Sequence, residues 1–237
     1  MLAKLYLLGF GDEGWGLSLL VTAAVTLLLS ITGFLMGTVF GSLAAAGRLS
    51  SYRLPKTLAY CYGTAFRGVP DLLTIYLFYY GGSVALTALA GFFGSTQFIG
   101  LPTFATGVAA IGIISGAYQS EVYRGAYLAI DQGQFDAARS LALPRFQMLR
   151  LVIAPQLVRH AIPGLSNVWQ LVLKDSALIS VIGLVELMRQ AQIGAGSTRE
   201  PFIFYLAAAA LYFLMGSITN QIFRLMEART ARGFSRS

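Results

Sequence analysis

The sequence predicts an all-α fold, an integral membrane helical bundle of about five transmembrane helices. Three observations carry this. Hydrophobic residues make up 56% of the 237 and charged residues only 11%, against roughly 25% charged in ordinary soluble domains. The stretches Gly14–Gly47, Leu72–Ser120 and Pro201–Phe223 contain no charge at all, and about 20 apolar residues suffice to cross a bilayer as helix. The basic residues sit in short segments beside those runs, the distribution that sets membrane topology. Backbone polar groups in lipid must be satisfied internally, so helices are the expected spanning form. Strand-length alternating segments of an outer-membrane barrel are absent.

Taken in order, the spans are expected at about 17–45, 55–80, 102–126, 162–182 and 202–225. The run from Leu17 is too long and too far into the chain for a cleavable signal peptide, so it reads as a retained first span. Span one carries Gly33, Gly37, Gly41 and Ala45 on one face, a stripe that lets another helix approach closely. Gly112 and Gly116 do the same in span three. Packing within the chain is the preferred reading of both stripes; a subunit interface is the alternative.

Orientation follows from the links. Arg48, Arg53 and Lys56 lie between spans one and two. Arg124, Arg139, Arg145, Arg150 and Arg159 lie between spans three and four, and Arg224, Arg229, Arg232 and Arg236 follow span five. These three segments hold twelve of the 17 basic residues and alternate as cytoplasmic segments must. The expected topology is therefore N-terminus outside and C-terminus inside, in an inner membrane. The net charge of +7 has the same origin, and nucleic acid is not an expected partner. With one cysteine and one histidine, an internal disulfide, a histidine–cysteine zinc cluster and a two-histidine metalloprotease motif are excluded. The whole chain, 1–237, reads as a single transmembrane domain carrying a cytoplasmic loop at 127–160.

That loop holds the most informative pattern. Asp131 suits a helix N-cap, with Gln134 three residues on as in a capping box. Ala137, Ala138 and Leu141 follow at helical spacing. Pro144 ends this helix and suits the first turn of the next, where Phe146, Leu149 and Ile153 are expected on one face. The result is two short helices with an elbow, whose apolar face needs a partner.

The loop is similar to the EAA loop of ABC importer permeases, with its pattern EAA, three residues, G, nine residues, I-x-L-P. Here Asp136-Ala137-Ala138 stands first, then three residues, Ala142, nine residues and Val152-Ile153-Ala154-Pro155. The spacing matches in full; Asp for Glu, Ala for Gly, Val for Ile and Ala for Leu are departures. Arg67-Gly68-Val69-Pro70-Asp71-Leu72 resembles the RG-x-P signature of polar amino-acid permeases. Gly116-Ala117-Tyr118 with Glu121, Arg124, Gly125 and Ala126 resembles their span-three segment, and Lys174-Asp175-Ser176-Ala177-Leu178-Ile179-Ser180 their span-four segment. RGVPD resembles most the histidine/lysine/arginine/ornithine permease and its opine-transport relatives.

The resemblance implies a type I ABC importer permease fold and binding-protein-dependent import of amino acids, among them histidine, arginine and lysine, or of opines. It implies that Asp136, Ala137, Ala138, Ala142 and Pro155 couple to an ATPase. The implied partners are a cytoplasmic ATPase dimer, a second homologous permease, and a periplasmic or tethered solute-binding protein. No cofactor is expected on this chain, since it has no G-x-x-x-x-G-K-[ST] phosphate loop; ATP is expected on the partner ATPase.

Ionisable groups inside spans mark either internal pairing or function. Arg67 has two open partners: Asp71 at i, i+4, or a substrate carboxylate that suits its planar fork. Glu121 and Asp71 are candidate acids for a substrate's positive groups, so Arg67, Asp71 and Glu121 form the candidate substrate site. Pro70 and Gly68 predict a break in the helix beside it. Lys174 and Asp175 are left between internal pairing and a role in transport. Tyr62, Tyr118 and Trp169 suit either the wall of a site or ordinary packing. Two other classes find weaker support in the sequence. An intramembrane serine protease would draw on His160 and the string Gly164-Leu165-Ser166. A stand-alone secondary transporter would need an internal duplication that is not visible.

Overall fold

The computed structural model describes residues 6–11, 14–93 and 97–231. Arg232 and Arg236 of the basic C-terminal segment lie outside them. The described residues form a helical bundle. Its helices are α1 (Gly16–Leu49), α2 (Arg53–Gly68), α3 (Asp71–Tyr76), α4 (Gly82–Phe92), α5 (Thr103–Leu128), α6 (Gln132–Ser140), α7 (Arg145–Met148), α8 (Ala154–Asp175), α9 (Leu187–Thr198) and α10 (Pro201–Ala231). A π-helical turn joins α3 to α4 at Leu77–Gly81, and a second joins α7 to α8 at Leu149–Ile153. A 3-10 helix, Ser176–Ile182, extends α8 and stops at Gly183, whose φ of 97° places it in the left-handed region where a side chain would be strained.

Helices α1 and α5 form the central pair, α8 packs against both of them, and α9 and α10 pack against each other at the flank. The small residues of α1 set this pairing. A Cβ added at Gly37 would lie 2.2 Å from Ser115 Oγ, and one at Gly41 would lie 2.8 Å from Gln119 Cβ. From the other side, a Cβ at Gly116 would lie 2.6 Å from the Tyr62 hydroxyl. Both stripes are thus consumed by packing within the chain.

Two buried polar groups tie the bundle. Gln119 donates to the Phe34 carbonyl at 3.0 Å and accepts from the Thr38 and Tyr123 hydroxyls. Glu186, fully buried, caps α9 through the Met188 and Arg189 amides at 2.9 and 2.8 Å. It also accepts from Tyr212 of α10 and Thr26 of α1. Each donor thereby avoids the cost of an unsatisfied buried group.

Among the described residues, three helical stretches are long and apolar enough by themselves to cross a membrane: Gly16–Leu49, Asp71–Phe92 and Pro201–Thr230. The apolar stretch of the second expected span therefore lies at 71–92 rather than 55–80. Residues 82–92, expected in a link, continue its helix through the π turn. Helices α5 and α8 hold the third and fourth expected spans. They line the interior, where protein neighbours relax the demand for apolar residues on every face.

Candidate functional site

The expected break in the second span is present. Val69 (φ −97°, ψ 137°) and Pro70 (φ −55°, ψ 133°) are extended between α2 and α3. Pro70 has no amide to donate, and the proline ring disfavours the helical region for Val69. Gly68, with nothing within 4 Å of a built Cβ, leaves room beside the break.

The break decides the partner of Arg67. An i, i+4 pair needs continuous helix, and two extended residues stand between Arg67 and Asp71. Among the described residues Asp71 forms no ion pair, and Arg67 turns instead to α5. Its Nη2 donates to Glu121 Oε1 at 2.8 Å and its Nε to the Gly63 carbonyl at 2.9 Å. The pairing of Arg67 with Asp71, one of the two open partners, is thus replaced by Glu121. Nη1 of Arg67 has no hydrogen-bond partner among the described residues.

Glu121 is the hub of a four-residue network. Arg48, from the end of α1, donates to the same Oε1, and Arg124 Nε donates to Oε2 at 3.0 Å. A carboxylate held by three guanidiniums is already engaged, so Glu121 positions cations rather than standing open. Arg124 was readable as an i, i+3 partner of Glu121. Arg48 had no local signal, since it meets Glu121 only through the packing of α1 on α5.

Asp71 begins α3 on the other side of the break. It lies close enough to Asp175 for the two charges to repel, and Tyr118 is within reach of both acids and of Arg67. Asp175 and Tyr118 also line a narrow crevice with Ile75, Ser115 and Val172. Asp175 thereby joins Asp71 as a second acid, while Lys174 is exposed and faces a separate cavity of about 560 Å³ beside Tyr212 and Asn220. Tyr62 and Trp169 are packing aromatics: Tyr62 donates to the Ile113 carbonyl at 2.6 Å, and Trp169 stacks edge-on with Phe34.

The 127–160 segment folds as one short helix, α6, and an elbow; the expected second short helix is instead the start of a continuous helix, α7 running through the π turn into α8. Asp131 caps α6 by accepting from the Gly133 amide at 2.7 Å. Gln134 does not complete a capping box; its side-chain oxygen accepts from Gln156 of α8 at 3.2 Å. Ala142 has a φ of 52°, which explains why the EAA pattern places glycine there.

Two expectations about faces are corrected. Ala138 is buried within the chain, one turn from Phe135, which packs with Ile130 and Ile153. Phe146 and Leu149 are exposed but Ile153 is buried, because the π turn at 149–153 shifts the register away from an α-helical face. Asp136 is exposed and paired with Arg139 on its own helix at 3.0 Å. Ala137, Ala142 and Pro155 are exposed, as are Leu141 and Phe146.

A helix broken at Pro70, a charge network beside it and an exposed two-helix elbow at one end of the bundle define a membrane permease. The chain belongs to the family described as binding-protein-dependent transport system inner membrane component, whose model matches residues 37–232. It is the permease subunit of an ABC importer, a transporter component rather than an enzyme, of the bacterial inner membrane. It is 53% identical over 230 residues to the octopine transport system permease protein of Rhizobium radiobacter, with 97% of each chain covered. It is 45% identical to the nopaline transport system permease protein of Agrobacterium fabrum, covering 97% of this chain and 98% of the relative. The histidine/lysine/arginine/ornithine permease of Escherichia coli is 34% identical, with 91% and 94% covered. Among solved structures, the crystal structure of an amino acid ABC transporter with histidines superposes with a TM-score of 0.76 at 34% identity, covering 89% of this chain and 93% of the other.

Proposed function

We propose that the chain conducts cationic amino acids or opines inward, N-terminus outside and C-terminus inside, with a second homologous permease beside it. The observation that carries this reading is the placing of opposite charges at the helix break: Arg67 lies in the last turn of α2, Asp71 begins α3, and Asp175 lines the Tyr118 crevice together with Ile75 of α3. Such an arrangement matches a substrate with a carboxylate at one end and a cation at the other. The open Nη1 of Arg67 offers a substrate carboxylate a charge-assisted hydrogen bond. Glu121 holds the guanidinium in position until that carboxylate arrives. Asp71 and Asp175, two acids without an ion-pair partner among the described residues, receive the positive side chain. The named relatives support the same substrate class.

In this reading ATP is bound and hydrolysed by a cytoplasmic ATPase dimer, and a periplasmic or tethered solute-binding protein delivers the substrate. The ATPase docks on the exposed ridge of the elbow, Ala137, Leu141, Ala142 and Phe146, with Asp136 and Pro155 at its edges. Ala138 supports the ridge from beneath. Uptake of labelled octopine, arginine and glutamine by cells expressing the complete system tests the reading. Saturable ATP-dependent uptake of octopine or arginine, with little glutamine, supports it; preference for glutamine contradicts it.

A further inference from the structure

At the end of the bundle that carries the elbow, a cavity of about 300 Å³ lies between the C-terminal ends of α1 and α5 and the first turns of α2. It is lined by Arg48, Leu49, Lys56, Tyr60, Arg124 and Leu128. Its charge is unbalanced. Among the described residues, the only acid hydrogen-bonded to Arg48 and Arg124 is Glu121, and that single carboxylate also holds Arg67. Lys56, exposed at the mouth, has no ion-pair partner among the described residues. The Arg48 guanidinium also lies over the Tyr60 ring, 5.8 Å from its centroid, which holds it within the cavity wall. Three cations therefore share one place with less than one full counter-charge, and the site demands an anion.

The surroundings identify the class of anion. Leu49 and Leu128, which line the cavity, are 36% and 61% exposed. A free aqueous anion gains nothing from such a rim, whereas an anion carrying acyl chains lays them along it. Guanidinium and ammonium groups bind phosphate oxygens through charge-assisted hydrogen bonds, and basic pockets between membrane helices on the cytoplasmic side suit anionic headgroups. We infer that the Arg48–Lys56–Arg124 cavity binds the phosphodiester headgroup of an anionic phospholipid from the cytoplasmic leaflet. The leaflet rests on the topology proposed above; the headgroup site itself does not.

The complete purified transporter, stripped of lipid in detergent, would be titrated with dioleoyl phosphatidylglycerol, dioleoyl phosphatidylcholine and inorganic phosphate, and followed by native mass spectrometry. A photoactivatable phosphatidylglycerol would locate the bound lipid. The expected result is saturable retention of phosphatidylglycerol over phosphatidylcholine, with crosslinks in residues 48–60 and 124–128. Lys56→Gln, an exposed change outside the Glu121 network, should weaken retention roughly fivefold, since one basic residue near a charged surface contributes about 1 kcal/mol; Lys56→Arg should restore it. Equal retention of the two lipids, unchanged retention by Lys56→Gln, or displacement of lipid by millimolar phosphate would each overturn the proposal. Cysteine labelling at position 51, after replacement of Cys61, reports separately on topology. External labelling there, with phosphatidylglycerol still retained and crosslinked at the same residues, would move the site to the other leaflet without removing it.

Discussion

Arg67 donates to Glu121 across 2.8 Å although Asp71 stands only four positions along the chain. The extended Val69–Pro70 pair turns α3 away, and the packing of α2 on α5 supplies the acid instead. Arg67→Lys keeps the charge but loses the planar fork, so transport should fall by about tenfold or more, in line with the loss of a charge-assisted hydrogen bond. Initial uptake rates, normalised to assembled complex, measure this. The double replacement Arg67→Leu with Asp71→Leu should not recover transport, because these two residues are not a pair.

The glycines of α1 allow a sharper contrast. Gly37→Ala pushes a methyl group against Ser115 and Gln119 and should cost about 1–3 kcal/mol, the usual range for overpacking. Gly68→Ala meets open space in a helical position and should be neutral to slightly stabilising. Thermal melts of the purified complex should therefore separate the two variants clearly. Equal melting temperatures would remove α1–α5 packing as the role of Gly37.

Ala142 holds a left-handed conformation at φ 52°, which costs an ordinary residue roughly 1–2 kcal/mol. Ala142→Gly should stabilise the elbow by about 1 kcal/mol and leave transport intact. Ala142→Val should do the reverse. Hydrogen exchange of the amides in 132–148 would report both.

The elbow also divides by face. Ala138→Glu places a charge in the small cluster of Ile130, Phe135 and Ile153, so it should disorder the loop itself. Phe146→Ser changes an exposed side chain, 70% accessible, and should leave stability within about 0.5 kcal/mol of wild type. It should nevertheless lower ATP-driven transport by weakening the hold on the ATPase. Co-purification of the ATPase with Phe146→Ser at wild-type stoichiometry and normal uptake would contradict the assigned docking ridge.

Much of this was legible in the chain because it depended on local chemistry. Pro70 could not continue α2 in regular form, Asp131 had to cap what followed, and glycines four apart had to face a close neighbour. What escaped was set by distant parts of the chain. Arg48 and Glu121 are 73 residues apart, and no spacing rule links them. The burial of Ile153 depends on a π turn, which periodicity read as 3.6 residues per turn does not register. The extension of the second span to Phe92 was missed for the opposite reason: residues 82–92 are rich in glycine and alanine, and read equally well as a link.

The central claim is that acids beside the helix break select a cationic substrate. ATP-dependent uptake of arginine and of citrulline, its uncharged near-isostere, into proteoliposomes bearing the complete transporter tests it most directly. Wild type should favour arginine strongly. The double variant Asp71→Asn with Asp175→Asn should lose that preference, with the complex still assembled and the ATPase still active. A variant that keeps the full arginine preference would contradict the account.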